Sequence, residues 1–240
     1  MCFCVRITCR KMDPYFKHYQ MSRFRFGMDT ELDPQQLALA TQTNDHNICE
    51  KMSPYMVKIN TKNPDGSIAS CGSGFHAINT KHALVTSAHV VLPESKELLV
   101  CYPDGSQGQA KLITKDRETD VALVKADRYC NLPTLRSRTA SMGDTVYILG
   151  FSGASNDLNF TKGMVSSLHQ GGFTTTAFAD NGFSGGPVFS IHMELLGMVR
   201  GGAGYTQGLT NRQVSCVNVD TINGFVGALL NVLPDMDKWP

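Results

Sequence analysis

At 240 residues the chain is long enough for one large β domain or for two small ones that share an interface. With 42% hydrophobic and 18% charged residues it has the composition of an ordinary soluble globular protein, and a net charge of +1 excludes the strongly basic footprint of a nucleic-acid binder. No apolar run approaches the roughly 20 residues of a membrane span.

The chain opens with a basic zone. Arg6, Arg10, Lys11, Lys17, Arg23 and Arg25 face only Asp13 among acids before Asp29, and aromatics interleave (Phe3, Tyr15, Phe16, Tyr19, Phe24, Phe26). Residues 1–50 read as a leader or arm: an organelle transit peptide, a plain flexible leader, or a segment that packs on another subunit. Asp33 and Pro34 mark the start of a short helix, as N-cap and first helical residue. From residue 53 the pattern changes to short β segments divided by turns. Tyr55–Asn60, Ile68–Ile78, His82–Thr86, Glu97–Tyr102, Gln109–Thr114 and Val121–Lys125 form a first set of six, within residues 51–138. After a Pro/Ser/Thr/Arg-rich linker a second set follows, within residues 139–240. Its members are Thr145–Leu149, Asn159–Leu168, Phe173–Ala179, Pro187–Ile191, Glu194–Arg200 and Gln213–Val219. Six strands suit one small closed barrel. Asp220–Leu233 reads as a closing helix with Asp220 as N-cap and Ile222, Phe225, Val226, Leu229 and Leu230 at helical spacing.

The eight cysteines are Cys2, Cys4, Cys9, Cys49, Cys71, Cys101, Cys130 and Cys216. Their even number raises a secreted disulfide framework. Met1–Arg10 lack the apolar core of a recognisable signal peptide, however, and no pairing scheme is visible. The expectation is free thiols in a reducing intracellular compartment, cytoplasmic or organellar. Cys2, Cys4 and Cys9 have no second ligand pair nearby, and His18, His46, His76, His82, His169 and His192 show no paired spacing, so no metal site is expected.

Three stretches carry chemistry. Gly182-Phe183-Ser184-Gly185-Gly186-Pro187 places a serine among glycines, a tight turn that projects the hydroxyl and frees the backbone N–H groups of Gly182 and Ser184. Two adjacent N–H groups form an oxyanion hole for a tetrahedral intermediate. His89 ends a strand and Asp120 opens one. A serine hydroxyl needs an imidazole to take its proton, and the imidazole needs a carboxylate to hold its tautomer. Ser184 is then nucleophile, His89 base and acid, and Asp120 the group that orients His89. His89 and Asp120 fall in the first strand set and Ser184 in the second, which suits a cleft between two barrels.

Thr86-Ser87-Ala88-His89-Val90-Val91, Asp120-Val121-Ala122-Leu123 and Gly182–Pro187 resemble the trypsin-like (chymotrypsin-fold) serine proteases. Gly72-Ser73-Gly74-Phe75, Thr161-Lys162-Gly163-Met164-Val165-Ser166 and Glu194-Leu195-Leu196-Gly197-Met198 narrow the resemblance to the HtrA or Deg branch, over about residues 55–225. The resemblance implies an all-β fold, a double six-stranded antiparallel β-barrel (chymotrypsin-like), here with a C-terminal helix. It also implies a serine endopeptidase that hydrolyses peptide bonds of protein or peptide substrates through an acyl-enzyme, without a cofactor. HtrA relatives often trimerise through an N-terminal segment, so it further implies a homo-oligomer held by the aromatics before residue 27.

By the same resemblance the base of the specificity pocket lies near Phe178 and its wall along Arg200, Gly201 and Gly202, which suits a small or medium apolar P1 residue. Phe183 stands where digestive proteases carry an aspartate, so activation by a freed N-terminus is excluded. Cys71 lacks its usual partner, because Val90 follows His89. Gating of substrate by a C-terminal PDZ domain, as in the HtrA branch, is not expected from this sequence. Arg200 replaces the small Ser or Thr that supports the triad aspartate, and a long cation there is placed to pair with Asp120 and weaken its grip on His89. Two rival readings stand beside the enzyme: a catalytically impaired pseudoprotease acting as a binding module, and a virus-style polyprotein-processing protease.

Overall fold

The computed structural model describes residues 33–63, 65–76, 83–92, 98–128, 132–153, 155–202 and 213–232. The basic and aromatic start, Cys2, Cys4, Cys9, Cys130, His18 and His82 lie outside them. Two compact units divide between Thr41 and Gln42. In the first, Asp33 accepts a hydrogen bond from Gln35 N–H at 3.4 Å as helix α1 begins. This helix, Pro34–Met52, is longer than the short one expected, and it runs past residue 50 into the second unit.

The second unit contains two closed antiparallel barrels of six strands each. The first is built from β1 (Met56–Lys62), β2 (Ile68–His76), β3 (Ala83–Ser87), β4 (Leu98–Cys101), β5 (Gln107–Asp116) and β6 (Val121–Ala126). The second is built from β7 (Thr145–Phe151), β8 (Leu158–His169), β9 (Gly172–Thr175), β10 (Pro187–Ser190), β11 (Leu195–Gly202) and β12 (Val214–Asn218). Helix α2 (Val219–Val232) closes the chain. The double six-stranded barrel read from the sequence is therefore the fold.

Side chains of a strand alternate between faces, and here both faces of the central strands are buried in different cores. In β6, Ala122, Val124 and Ala126 fill the first barrel, while Val121 and Leu123 turn to a core shared by both barrels. In β7, Val146 and Ile148 fill the second barrel, while Tyr147, Leu149 and Phe151 join the shared core. The shared core also takes Ile48 and Met52 from the end of α1, and Val219, Ile222 and Val226 from α2. It fixes one barrel against the other.

Two boundaries differ from expectation for local reasons. Helix α2 is capped by Asn218, whose side-chain carbonyl accepts from Thr221 N–H at 2.8 Å. Asp220 lies inside the helix, and its carboxylate accepts the Thr139 hydroxyl at 2.7 Å. Strand β9 stops at Thr175 rather than Ala179, because Ala177 N–H turns back to Thr175 Oγ1 at 3.1 Å.

His76 ends β2 at 7% exposure, and its Nδ1 has no hydrogen-bond partner among the described residues. Burial first, and the Arg128 charge second, lower its pKa from 6.5 to about 4. The folded protein thus binds fewer protons than the unfolded chain between about pH 4 and 6.5, so this group's contribution to stability is intact above 6.5 and is lost as pH falls. Folding stability should drop by about 2 kcal/mol between pH 7 and pH 5 on this account alone. Denaturant unfolding of His76→Phe should show a correspondingly flatter acid limb. Equal pH slopes in both proteins would contradict it.

Candidate active site

β3 ends at Ser87, and the tight turn after it carries Ala88 and His89. Asp120 precedes β6 with a φ of 60°. That left-handed backbone is uncommon outside glycine, although aspartate tolerates it better than most residues. Strain of this kind persists where surrounding contacts hold it. Here the Asp120 carbonyl accepts from Ala88 N–H at 3.1 Å, and its carboxylate accepts from His89 N–H at 3.1 Å. The two carboxylate oxygens then lie 3.0 and 2.9 Å from His89 Nδ1. The Asp120 side chain is 8% exposed and the His89 side chain 52% exposed. A buried carboxylate therefore holds one ring nitrogen, while about half of the imidazole side chain stays exposed.

Ser184 belongs to the second barrel, in the turn before β10. Gly182 has φ +94° and Gly185 φ +87°, values open to glycine. Space demands glycine as well. A Cβ on Gly182 would collide with Gly153 N and the Phe151 carbonyl, and one on Gly185 with the Ser73 carbonyl and Thr86 Oγ1. Between them Phe183 is buried at 2% in the second barrel's core, so an apolar anchor stands where a charged one was excluded by sequence. Phe183 N–H, Gly185 N–H and Gly186 N–H donate to the carbonyls of Asp180, Val199 and Phe183. Gly182 N–H and Ser184 N–H donate to no acceptor among the described residues. The turn thus presents two free backbone donors beside the serine hydroxyl.

The first barrel braces this turn. Ser73 N–H donates to the Ser184 carbonyl at 2.8 Å, and Ser73 Oγ donates to the Gly182 carbonyl at 2.7 Å while accepting from Phe151 N–H at 2.8 Å. Ser87 Oγ donates to the Val199 carbonyl at 3.1 Å. Ser73 stands in the sequence only as one residue of the Gly72-Ser73-Gly74-Phe75 stretch, and the glycines on either side of it were the available signal.

Other sequence candidates fall around the serine. Ser184 Oγ points to the Arg200 carbonyl at 3.5 Å, and among the described residues no hydrogen bond joins it to His89. Arg200 Nε is 3.9 Å from Asp120 Oδ2, and Nη2 donates to the Glu118 carbonyl at 3.3 Å. The expected pairing with Asp120 exists, but it is long, its cation is half exposed, and His89 keeps the shorter contacts; exposed pairs of this kind are weak. Phe178 is 60% exposed, edge-on to Phe183 at 6.5 Å between ring centres. A Cβ on Gly201 would meet nothing within 4 Å. Gly202 ends β11.

Two β-barrels with a histidine–carboxylate pair on one and a glycine-framed serine on the other define the trypsin-like class. The chain belongs to the trypsin-like peptidase domain family, whose model matches residues 72–198, just over half of its length. Its relatives are of the HtrA type. A "Probable periplasmic serine endoprotease DegP-like" of Pseudomonas putida (strain W619) is 38% identical over 140 residues, covering 54% of this chain and 28% of that protein. "Serine protease HTRA1B" of Danio rerio is 32% identical over 171 residues, covering 63% of this chain and 35% of that protein. The chain therefore spans about a third of the length of these curated relatives. The crystal structure of the serine endoprotease from Yersinia pestis superposes with a TM-score of 0.69 at 22% identity, over 78% of this chain and 66% of that one, which shows the shared fold.

These relatives correct the expected reducing intracellular compartment: the Pseudomonas protein is described as periplasmic, an extracytoplasmic setting. The inference from thiols was the weak step. Among the described residues Cys49, Cys71, Cys101 and Cys216 are unpaired. But Cys101 and Cys216 are buried, and burial raises both thiol pKa values. Such thiols are inert in either redox setting, so their free state does not report a compartment.

Proposed function

We propose that the protein is a serine endopeptidase that cleaves peptide bonds of protein substrates through an acyl-enzyme. The observation that carries the reading is the two-fold contact of buried Asp120 with His89 Nδ1, across the cleft from a serine flanked by free backbone donors. Ser184 Oγ loses its proton to His89 Nε2 and attacks the scissile carbonyl. The new C–O bond places negative charge on the carbonyl oxygen, between the N–H groups of Gly182 and Ser184. His89 then gives its proton to the departing amine as the C–N bond breaks, and water repeats the sequence on the ester. Asp120 stays ionised and stabilises the imidazolium. Phe178, Arg200, Gly201 and Gly202 line the substrate side, where an exposed aromatic and an open glycine suit a small or medium apolar P1 residue.

One observation favours a second reading, a binding module with impaired chemistry: the serine hydroxyl rests on the Arg200 carbonyl rather than on His89. Catalytic hydrogen bonds are often long in a protein without substrate and tighten on binding, which is why the enzyme reading comes first. A fluorophosphonate probe separates the two. Covalent labelling of the wild type and none of Ser184→Ala is expected; a folded wild type that never labels would establish the binding module.

A further inference from the structure

We propose that Lys58 is a positioning residue that holds the Asn181–Gly182 peptide in its catalytic orientation from across the barrel interface. The inference rests on the reading of Ser184 as nucleophile. Lysine is rarely buried, yet Lys58 sits mid-β1 at 5% exposure, between Val57 and Ile59 of the first barrel's core. Its Nζ donates to the Ser152 carbonyl at 3.2 Å, the Ser155 carbonyl at 2.6 Å and Asn156 Oδ1 at 3.2 Å. An ammonium has three donors, and all three go to the segment that follows β7 in the second barrel. Among the described residues no carboxylate lies within 4 Å of it. The charge therefore binds two backbone carbonyls and one side-chain amide rather than an acid.

The same segment carries the consequence to the serine. Gly153 N–H donates to the Asn181 carbonyl at 2.7 Å. That carbonyl and Gly182 N–H belong to one planar trans peptide, so they point in opposite directions. Holding the carbonyl on Gly153 aims Gly182 N–H into the cleft, and a rotation of this peptide would break the Gly153 bond and withdraw the donor. Lys58 also pairs in register with Ser73 on β2, whose hydroxyl holds the Gly182 carbonyl. Two neighbouring positions of the first barrel thus clamp the peptides on either side of Gly182, Ser73 directly and Lys58 through Ser152, Gly153, Ser155 and Asn156. Without Lys58 the carbonyls of Ser152 and Ser155 lose a buried donor, and the segment is free to release Gly153.

The test compares fluorophosphonate inactivation of the full chain with that of Lys58→Met, which keeps length and apolar contact but has no donors. Removing one oxyanion-hole donor outright costs about 100- to 1000-fold in rate, so loosening one is expected to lower the maximal inactivation rate by about 10-fold, with the probe's half-saturating concentration unchanged within about 2-fold. A purely structural role would lower Tm without this split. Asn156→Ala removes one of the three acceptors from an exposed side chain and should lower the same rate constant by about 2- to 3-fold; it decides the matter if Lys58→Met does not fold. A wild type that labels beside folded Lys58→Met and Asn156→Ala proteins that label equally fast overturns the role of Lys58 alone. A wild type that does not label overturns the nucleophile reading, and the inference with it.

Discussion

Ser184→Ala is expected to lower kcat/KM by about 10⁵- to 10⁶-fold, and adding His89→Ala to that variant should lower it barely further. In the proposed mechanism the two side chains act in one proton transfer, so once either is gone the other has nothing to transfer to or from. His89→Ala alone should therefore cost about as much as Ser184→Ala alone. Residual turnover in all three variants should be similar, because the free N–H groups of Gly182 and Ser184 belong to the backbone and survive each substitution. Ser184→Ala should hardly change stability, because Ser184 Oγ makes one long contact, to the Arg200 carbonyl at 3.5 Å. His89→Ala should lower Tm more, because it takes the Nδ1 partner at 2.9 Å from the Asp120 carboxylate, which is 8% exposed. Steady-state kinetics on the single and double variants, with Tm recorded for each, is the measurement. Losses that multiply in the double variant would show that the two residues do not work as a unit, and would remove the proposed proton relay.

The strands were legible because each set of six is punctuated by turn residues, and the three chemical stretches because each puts an unusual residue at a strand end or in a glycine turn. What stayed hidden depends on contacts between distant segments. Ile48 and Met52 look unremarkable in a polar helix; only the shared core between the barrels makes them interior. Lys58 alternates with Val57 and Ile59, the pattern of a solvent-facing residue, and its burial follows from the second barrel's segment lying over it. Asn218 takes the cap of α2 because Asp220 is engaged with Thr139, a partner 81 residues away. Phe178, weighed as pocket base or barrel core, is exposed beside the Ser184 turn, since β9 ends three residues before it.

Asp120→Asn tests the other half of the site, and it should lower kcat by about 10⁴-fold while the fold survives. Asparagine tolerates the left-handed backbone that Asp120 adopts at φ 60°, so the turn into β6 is preserved. Its side-chain carbonyl can still accept from His89 N–H, as Asp120 Oδ1 does at 3.1 Å. The other position changes sign. Where the carboxylate offers a second acceptor 2.9 Å from His89 Nδ1, the amide offers a donor. Nδ1 must then be the unprotonated nitrogen, which moves the ring proton to Nε2, the atom proposed to receive the Ser184 proton. The negative charge that would stabilise the imidazolium is lost as well, while the Arg200 guanidinium 3.9 Å away remains and opposes it. Asp120→Ala would be a poorer test, because alanine neither caps the His89 turn nor favours positive φ, so lost activity would mix with lost structure. Kinetics of Asp120→Asn beside an unchanged circular dichroism spectrum should therefore show the defect in kcat with KM nearly constant. A loss of less than about 10-fold would mean that His89 keeps its tautomer without Asp120, and the carboxylate would then be a structural cap rather than part of the catalytic relay.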